Sequence, residues 1–144
     1  MLSVSNWFFW ALLSAAFAAL TAIFAKVGLQ GVHPDLATLI RTLVIMAMVI
    51  GIVYFTGNWS NPFNLSSRTW LFLVLSGLAT GASWVCYFRA LKIGEASKVA
   101  PVDKLSVLLV AVFGFVFLNE RLSVREWVGI LMVVGGVLVL GLKR

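Results

Sequence analysis

The chain has 144 residues, 62% of them hydrophobic and only 11% charged, which is more apolar surface than a soluble domain of this size can bury; soluble domains are about 45–50% apolar and about 25% charged. A mean hydropathy of +1.06 excludes water as the solvent for most of it and leaves lipid. The net charge of +6 does not read as a nucleic-acid footprint, because the basic residues sit mainly at the ends of apolar runs, as they do around membrane spans.

A helix needs about 20 residues to cross a hydrocarbon layer about 30 Å thick. Five runs have that length: 6–25, 34–56, 69–91, 99–118 and 124–142. All are expected as helices, since an open strand would leave backbone groups unpaired in lipid. The predicted fold is therefore all-α, a polytopic bundle of five transmembrane helices forming one domain over residues 1–144. An odd number of crossings puts the two termini on opposite sides.

No Lys or Arg precedes the first run, and it is too long for a signal peptide, so it reads as a retained span. Ala11, Ala15, Ala18, Ala22 and Ala25 step by four and three and share one face. Small residues at this spacing let helices approach closely in lipid. They are expected to form contacts within the bundle. Lys26 closes the face, as either a flank or a cavity charge.

The second span opens with Pro34 and Asp35. Proline loses nothing in the first turn, and a carboxylate suits the positive end of a helix. Arg41 lies seven residues beyond Pro34, about 10 Å along the axis. A charge that deep costs about 2.5–3.5 kcal/mol on insertion scales. It either faces a cavity or partner, or forms a structural salt bridge. Gly57 and residues 58–67, with Pro62, make the longest polar break.

The third span carries Gly77-Leu78-Ala79-Thr80-Gly81, a close-approach motif. Trp84 and Tyr87 are three apart and share a face with each other; they could stack on a substrate or a cation, or belong to the aromatic belt at the lipid interface. Arg89 follows. Cys86 is the single cysteine, which permits no internal disulfide. In the fourth span Pro101 removes a backbone donor, so it is expected to kink the helix or delay its start. Asp103 and Lys104 come next. Freed carbonyls and charges at such a break make a membrane binding site, with Asp103 holding Arg41 or Arg89, or the pair simply meets water at the interface.

Glu120 sits in the tight turn Leu118-Asn119-Glu120-Arg121-Leu122, where a structural role is expected. The fifth span starts with a capping box, Ser123-Val124-Arg125-Glu126. Gly129 and Gly136 share one of its faces, either as bundle contacts or as a dimer seam. Lys143 and Arg144 close its negative end. No metal-ligand cluster, phosphate loop or catalytic dyad is present in the spans, so no metal, no cofactor and no enzymatic activity are expected. Asp103 is the candidate for proton coupling.

The stretch Tyr87-Phe88-Arg89-Ala90-Leu91-Lys92-Ile93-Gly94-Glu95-Ala96-Ser97-Lys98-Val99-Ala100-Pro101, the later Asn119-Glu120-Arg121 turn and the glycines from Gly129 to Gly136 carry a resemblance. On them the chain resembles the EamA-type family of the drug/metabolite transporter superfamily over essentially its whole length. The resemblance implies a secondary transporter of small metabolites or toxic compounds in a bacterial cytoplasmic membrane. Most members have two such five-span repeats in opposite orientation; this chain has one. Flanks on the amino-terminal side carry Arg68, Arg121 and Arg125, and those on the other side carry Lys26, Lys92, Lys98, Lys143 and Arg144, with Arg89 close by. The positive-inside rule then favours a cytoplasmic carboxyl terminus by a modest margin. Two antiparallel copies would rebuild the inverted repeat and its midplane cavity, with Arg41 and the residues around Pro101 lining it. The competing reading is a non-transporting subunit, or a half-transporter that needs a different partner chain.

Overall fold

The hydrophobic runs fold as helices, and the breaks fall where backbone chemistry requires them. The structure, a computed structural model, describes residues 4–141, with side chains for 7–140. The order is α1 (Val4–Gly28), α2 (Pro34–Phe55), a 3-10 turn (Pro62–Asn64), α3 (Ser67–Ile93), α4 (Ala96–Asp103), α5 (Ser106–Phe117) and α6 (Val124–Gly141). Among the described residues there is no strand. Four segments, with α4 and α5 taken as one, are long and apolar enough to cross a membrane. The fifth, α6, has 18 residues, ~27 Å at 1.5 Å per residue. Lys143 and Arg144, expected to close it, lie outside the described residues.

The contacts divide the chain into two compact units, Met1–Ile93 and Gly94–Arg144. In the first, α3 packs against both α1 and α2. His33 caps α2, its ring Nδ1 accepting the Asp35 N–H at 3.3 Å, and Pro34 occupies the first turn. Gly57 ends α2 with φ +68°, a left-handed conformation that costs glycine no Cβ clash. Helix α3 begins earlier than expected because Ser66 caps it, its Oγ accepting the Thr69 N–H at 3.1 Å. Trp70 pins the preceding loop by donating from Nε1 to the Pro62 carbonyl at 3.0 Å.

The tight packing of this unit is confined to one end. Ala22, Leu29, Thr38, Phe88 and Leu91 are buried there, and Leu91 is fully enclosed. Elsewhere the apolar side chains face outward, as they must where the solvent is lipid. The alanine face therefore closes only at Ala22 and partly at Ala25, while Ala11, Ala15 and Ala18 stay exposed. A Cβ added at Gly77, Gly81, Gly129, Gly135 or Gly136 would meet no atom within 4 Å. Within their own units, most of these small residues make no close contact with another helix.

In the second unit, α4 and α5 each pack on α6. Helix α4 starts at Ala96, not near residue 99, because the Glu95 carbonyl accepts from Val99 at 2.9 Å. Pro101 therefore lies inside the helix and does not delay its start. The interruption falls just after it, where Lys104 and Leu105 bond three residues back, to Pro101 at 2.9 Å and Val102 at 3.0 Å. Proline cannot donate to the carbonyl of Ser97 four residues earlier, and its ring crowds that turn.

After α5 the Gly114 carbonyl accepts from both Leu118 and Glu120 at 3.1 Å. Asn119 between them is left-handed, with φ 55°. The Glu120 carboxylate folds back over Gly114, where a Cβ would lie 2.7 Å from its Oε2. The capping box of α6 forms: Glu126 Oε2 accepts from Ser123 N and Oγ at 2.7 Å each, and Ser123 Oγ accepts weakly from Glu126 N at 3.4 Å. Replacing Asn119 with Ala is expected to destabilise the protein by about 1 kcal/mol, because alanine lacks the short polar side chain that makes the left-handed conformation tolerable to asparagine, while Asn119→Gly should not. Thermal unfolding in detergent checks the pair.

Candidate functional site

The buried end of the first unit is built by side chains that answer the ends of helices. The last carbonyls of a helix have no partner within it, and lipid provides none. Lys92 of α3 donates from Nζ to Leu29 and, at 3.0 Å, to Val32 in the α1–α2 connection. Lys26 of α1 donates from Nζ to the Leu91 carbonyl of α3 at 2.6 Å. Each helix thus lends a lysine to the other's carboxyl-terminal end, where the dipole also favours positive charge. Lys26, read as a flank or a cavity charge, serves here as a cap.

Beside this exchange, Arg89 grips Asp35 with two parallel bonds, Nε to Oδ1 at 3.2 Å and Nη2 to Oδ2 at 3.0 Å. The pair joins the first turn of α2 to the last turns of α3, and each charge sits at the helix end that suits it. Asp103 was expected to hold Arg41 or Arg89; the carboxylate that Arg89 bonds is Asp35. Asp103 pairs instead with its neighbour Lys104 at 3.2 Å.

Deeper along α2, the half-buried Arg41 lays its guanidinium 4.3 Å from the ring centre of Trp84 and 5.2 Å from that of Phe88. Trp84 and Phe88 are four apart on α3 and present one aromatic wall. This is cation–π packing, which is stronger where water is scarce. Arg41 also lines an open cavity of about 370 Å³, walled by Thr21, Phe24 and Ala25 of α1, Ile40 of α2 and Phe88 of α3. Arg41 is the only ionisable residue in that lining.

Of the residues singled out from sequence, Arg41 and Trp84 come together, and of the two only Arg41 lines the cavity. Arg89 lies outside its lining, and Tyr87 stands half-buried next to Phe88, with ring centres 6.5 Å apart. Pro101, Asp103, Lys104 and Glu120 belong to the second unit. Phe88 was missed, although its spacing from Trp84 is the signal for a two-ring face. Asp35 was read as a helix-end charge only, and its pairing with Arg89 needed the fold. Among the described residues no group of His, Cys, Asp or Glu is placed to hold a metal.

A multi-pass helical membrane protein with a small-molecule-sized cavity is the class that fold and site define. Comparison with known proteins supplies the family: the chain belongs to the EamA-like transporter family, whose model matches residues 5–142. It is 58% identical over 135 residues to an "uncharacterized transporter in cobO 3' region" of a Sinorhizobium species, covering 94% of this chain and 96% of that protein. The Bacillus subtilis "uncharacterized transporter YxxF" is 25% identical over 136 residues, 94% of this chain but 42% of that protein. A "probable 4-amino-4-deoxy-L-arabinose-phosphoundecaprenol flippase subunit ArnE" of Pseudomonas fluorescens is 31% identical over 85 residues, 58% of this chain and 69% of that one. No solved structure matches.

If Asp35 and Arg89 act as one unit, Asp35→Asn and Arg89→Gln should each lower the unfolding temperature, and the double variant should fall well short of the sum. A double-mutant cycle by thermal unfolding measures that coupling.

Proposed function

We propose that the chain is one five-span repeat of a secondary transporter for small metabolites or toxic compounds, and that two copies pair antiparallel to complete it. The observation that carries this reading is one of length. The chain matches 96% of one relative, yet only 42% of a longer transporter. One copy thus corresponds to less than half of the larger protein, and a second copy can provide the rest. An odd number of spans lets identical chains in opposite orientation recreate an inverted repeat, with the substrate site near the midplane.

Two features support a partner in the membrane. The small-residue faces at Ala11, Ala15, Ala18, Gly77 and Gly81 remain exposed. Close backbone approach at such faces is how helices associate where no hydrophobic force separates protein from lipid. The flanking charges favour a cytoplasmic carboxyl terminus by only two or three residues, a margin small enough for both orientations to occur. Rocking of one copy against the other would open the cavity to each side in turn. Arg41, with Trp84, contacts substrate in this mechanism, and Asp103 carries any coupled proton.

A second reading is a half-transporter that needs a different chain. Its support is the likeness to a protein named as a flippase subunit. The two readings part in one experiment: reporters active only inside or only outside the cytoplasm are fused to the carboxyl terminus. Activity of both reporters is the expected result. A wholly one-sided signal overturns the antiparallel homodimer and leaves the partner-chain reading. Purified protein in liposomes should also show gradient-driven flux with no second chain present.

A further inference from the structure

We infer that the cavity beside Arg41 binds an amphiphilic organic anion, a single carboxylate or phosphate head on a compact apolar body. This rests on the transporter reading for its purpose, but its argument is separate and begins with a charge count. Residues 1–93 contain five Lys and Arg side chains, Lys26, Arg41, Arg68, Arg89 and Lys92, and one acidic side chain, Asp35. Both oxygens of Asp35 are taken by Arg89. Lys26 and Lys92 are directed to helix-end carbonyls. Arg68 is exposed at the start of α3, with its guanidinium over the Phe72 ring. Arg41 is the half-buried one, well inside α2, with no carboxylate of its own unit to balance it.

The rings of Trp84 and Phe88 offset part of that cost, because they attract the face of the guanidinium. Ring faces accept no conventional N–H hydrogen bonds from its edge. A guanidinium has five N–H donors in a planar fork, a shape that matches a carboxylate or phosphate two bonds at a time. The remaining wall is almost wholly apolar, with Thr21 as its one hydroxyl. An occupant that is charged throughout would leave its polar groups unpaired there, and a cation would meet Arg41. What fits is one anionic group against Arg41 and a hydrocarbon or aromatic body against Phe24, Ile40 and Phe88. Such a ligand could arrive from water as a free organic acid, or from the bilayer as an anionic lipid; the head chemistry is the same.

The test uses the whole protein in nanodiscs of uncharged phosphatidylcholine, titrated with octanoate, octyl phosphate, octyltrimethylammonium and octyl glucoside. Binding is followed by calorimetry and by the apparent unfolding temperature, which rises when a ligand favours the native state. Octanoate and octyl phosphate should bind at least about tenfold more tightly than the cation or the sugar, the factor of one charge-assisted hydrogen bond or more. Arg41→Leu should remove that preference. Arg41→Lys, which keeps the charge and loses the fork, should fall between. Equal binding of cation and anion by the wild type overturns the inference whether or not any variant folds, and so does an unchanged anion preference in Arg41→Leu.

Repeating the titration in nanodiscs containing phosphatidylglycerol separates the two sources. Loss of octanoate binding there assigns the site to a lipid head, and unchanged binding assigns it to a soluble acid; either outcome keeps the anion. Liposome flux separates this inference from the wider one. Anion binding without flux of any compound would leave the site standing and remove the transporter reading. Flux of cationic compounds without anion binding would do the reverse.

Discussion

In hydrocarbon, a polar group that finds no partner in the protein finds none in the solvent. That constraint organises the first unit more than any apolar contact. Lys26 and Lys92 each reach across to carbonyls at the end of the other's helix, and Arg89 closes on Asp35 beside them. Leu29, Phe88 and Leu91 are buried against the same end. The helices are clasped where their polar ends must be satisfied and lie open along the rest of their length. Lipid is as apolar as leucine, so burial there would bring little.

Arg41 is the exception to this economy of charge. It sits beyond the clasp, its guanidinium against two aromatic rings and its side chain among those lining an apolar cavity. A structural arginine would be expected to take the carboxylate, yet Arg89 has it. A charge kept deep in a helix without its counter-ion is a recurrent mark of a ligand site in membrane proteins. The second unit shows a different local solution. Pro101 breaks the fourth span soon after its start, and Asp103 and Lys104 at the break neutralise one another.

Much of the fold was legible in the residues. Pro34, Gly57, Ser123 and Glu126 act through local backbone chemistry, and each marks a helix boundary as expected. The errors at α3 and α4 have one cause. Ser66 and Glu95 start helices inside polar stretches, and hydropathy alone reads such stretches as loop. At the candidate site, Arg41 and Trp84 stood out because charge and indole are conspicuous in an apolar run. Phe88 did not, since a phenylalanine among many carries no label. The alanine and glycine faces were visible as faces, but periodicity says which residues share a side and not what covers it.

The membrane solvent, the helical class and the odd count of spans were already determined by composition and run length, because hydrocarbon admits backbone only when its hydrogen bonds are internal. Which of five cations in residues 1–93 would hold the single carboxylate was a matter for tertiary structure. It depends on α3 returning its last turns to the first turn of α2, a contact between residues 54 apart. Spacing along a chain cannot specify that meeting, and from it follows that the arginine lining the cavity is left without a carboxylate of its own unit.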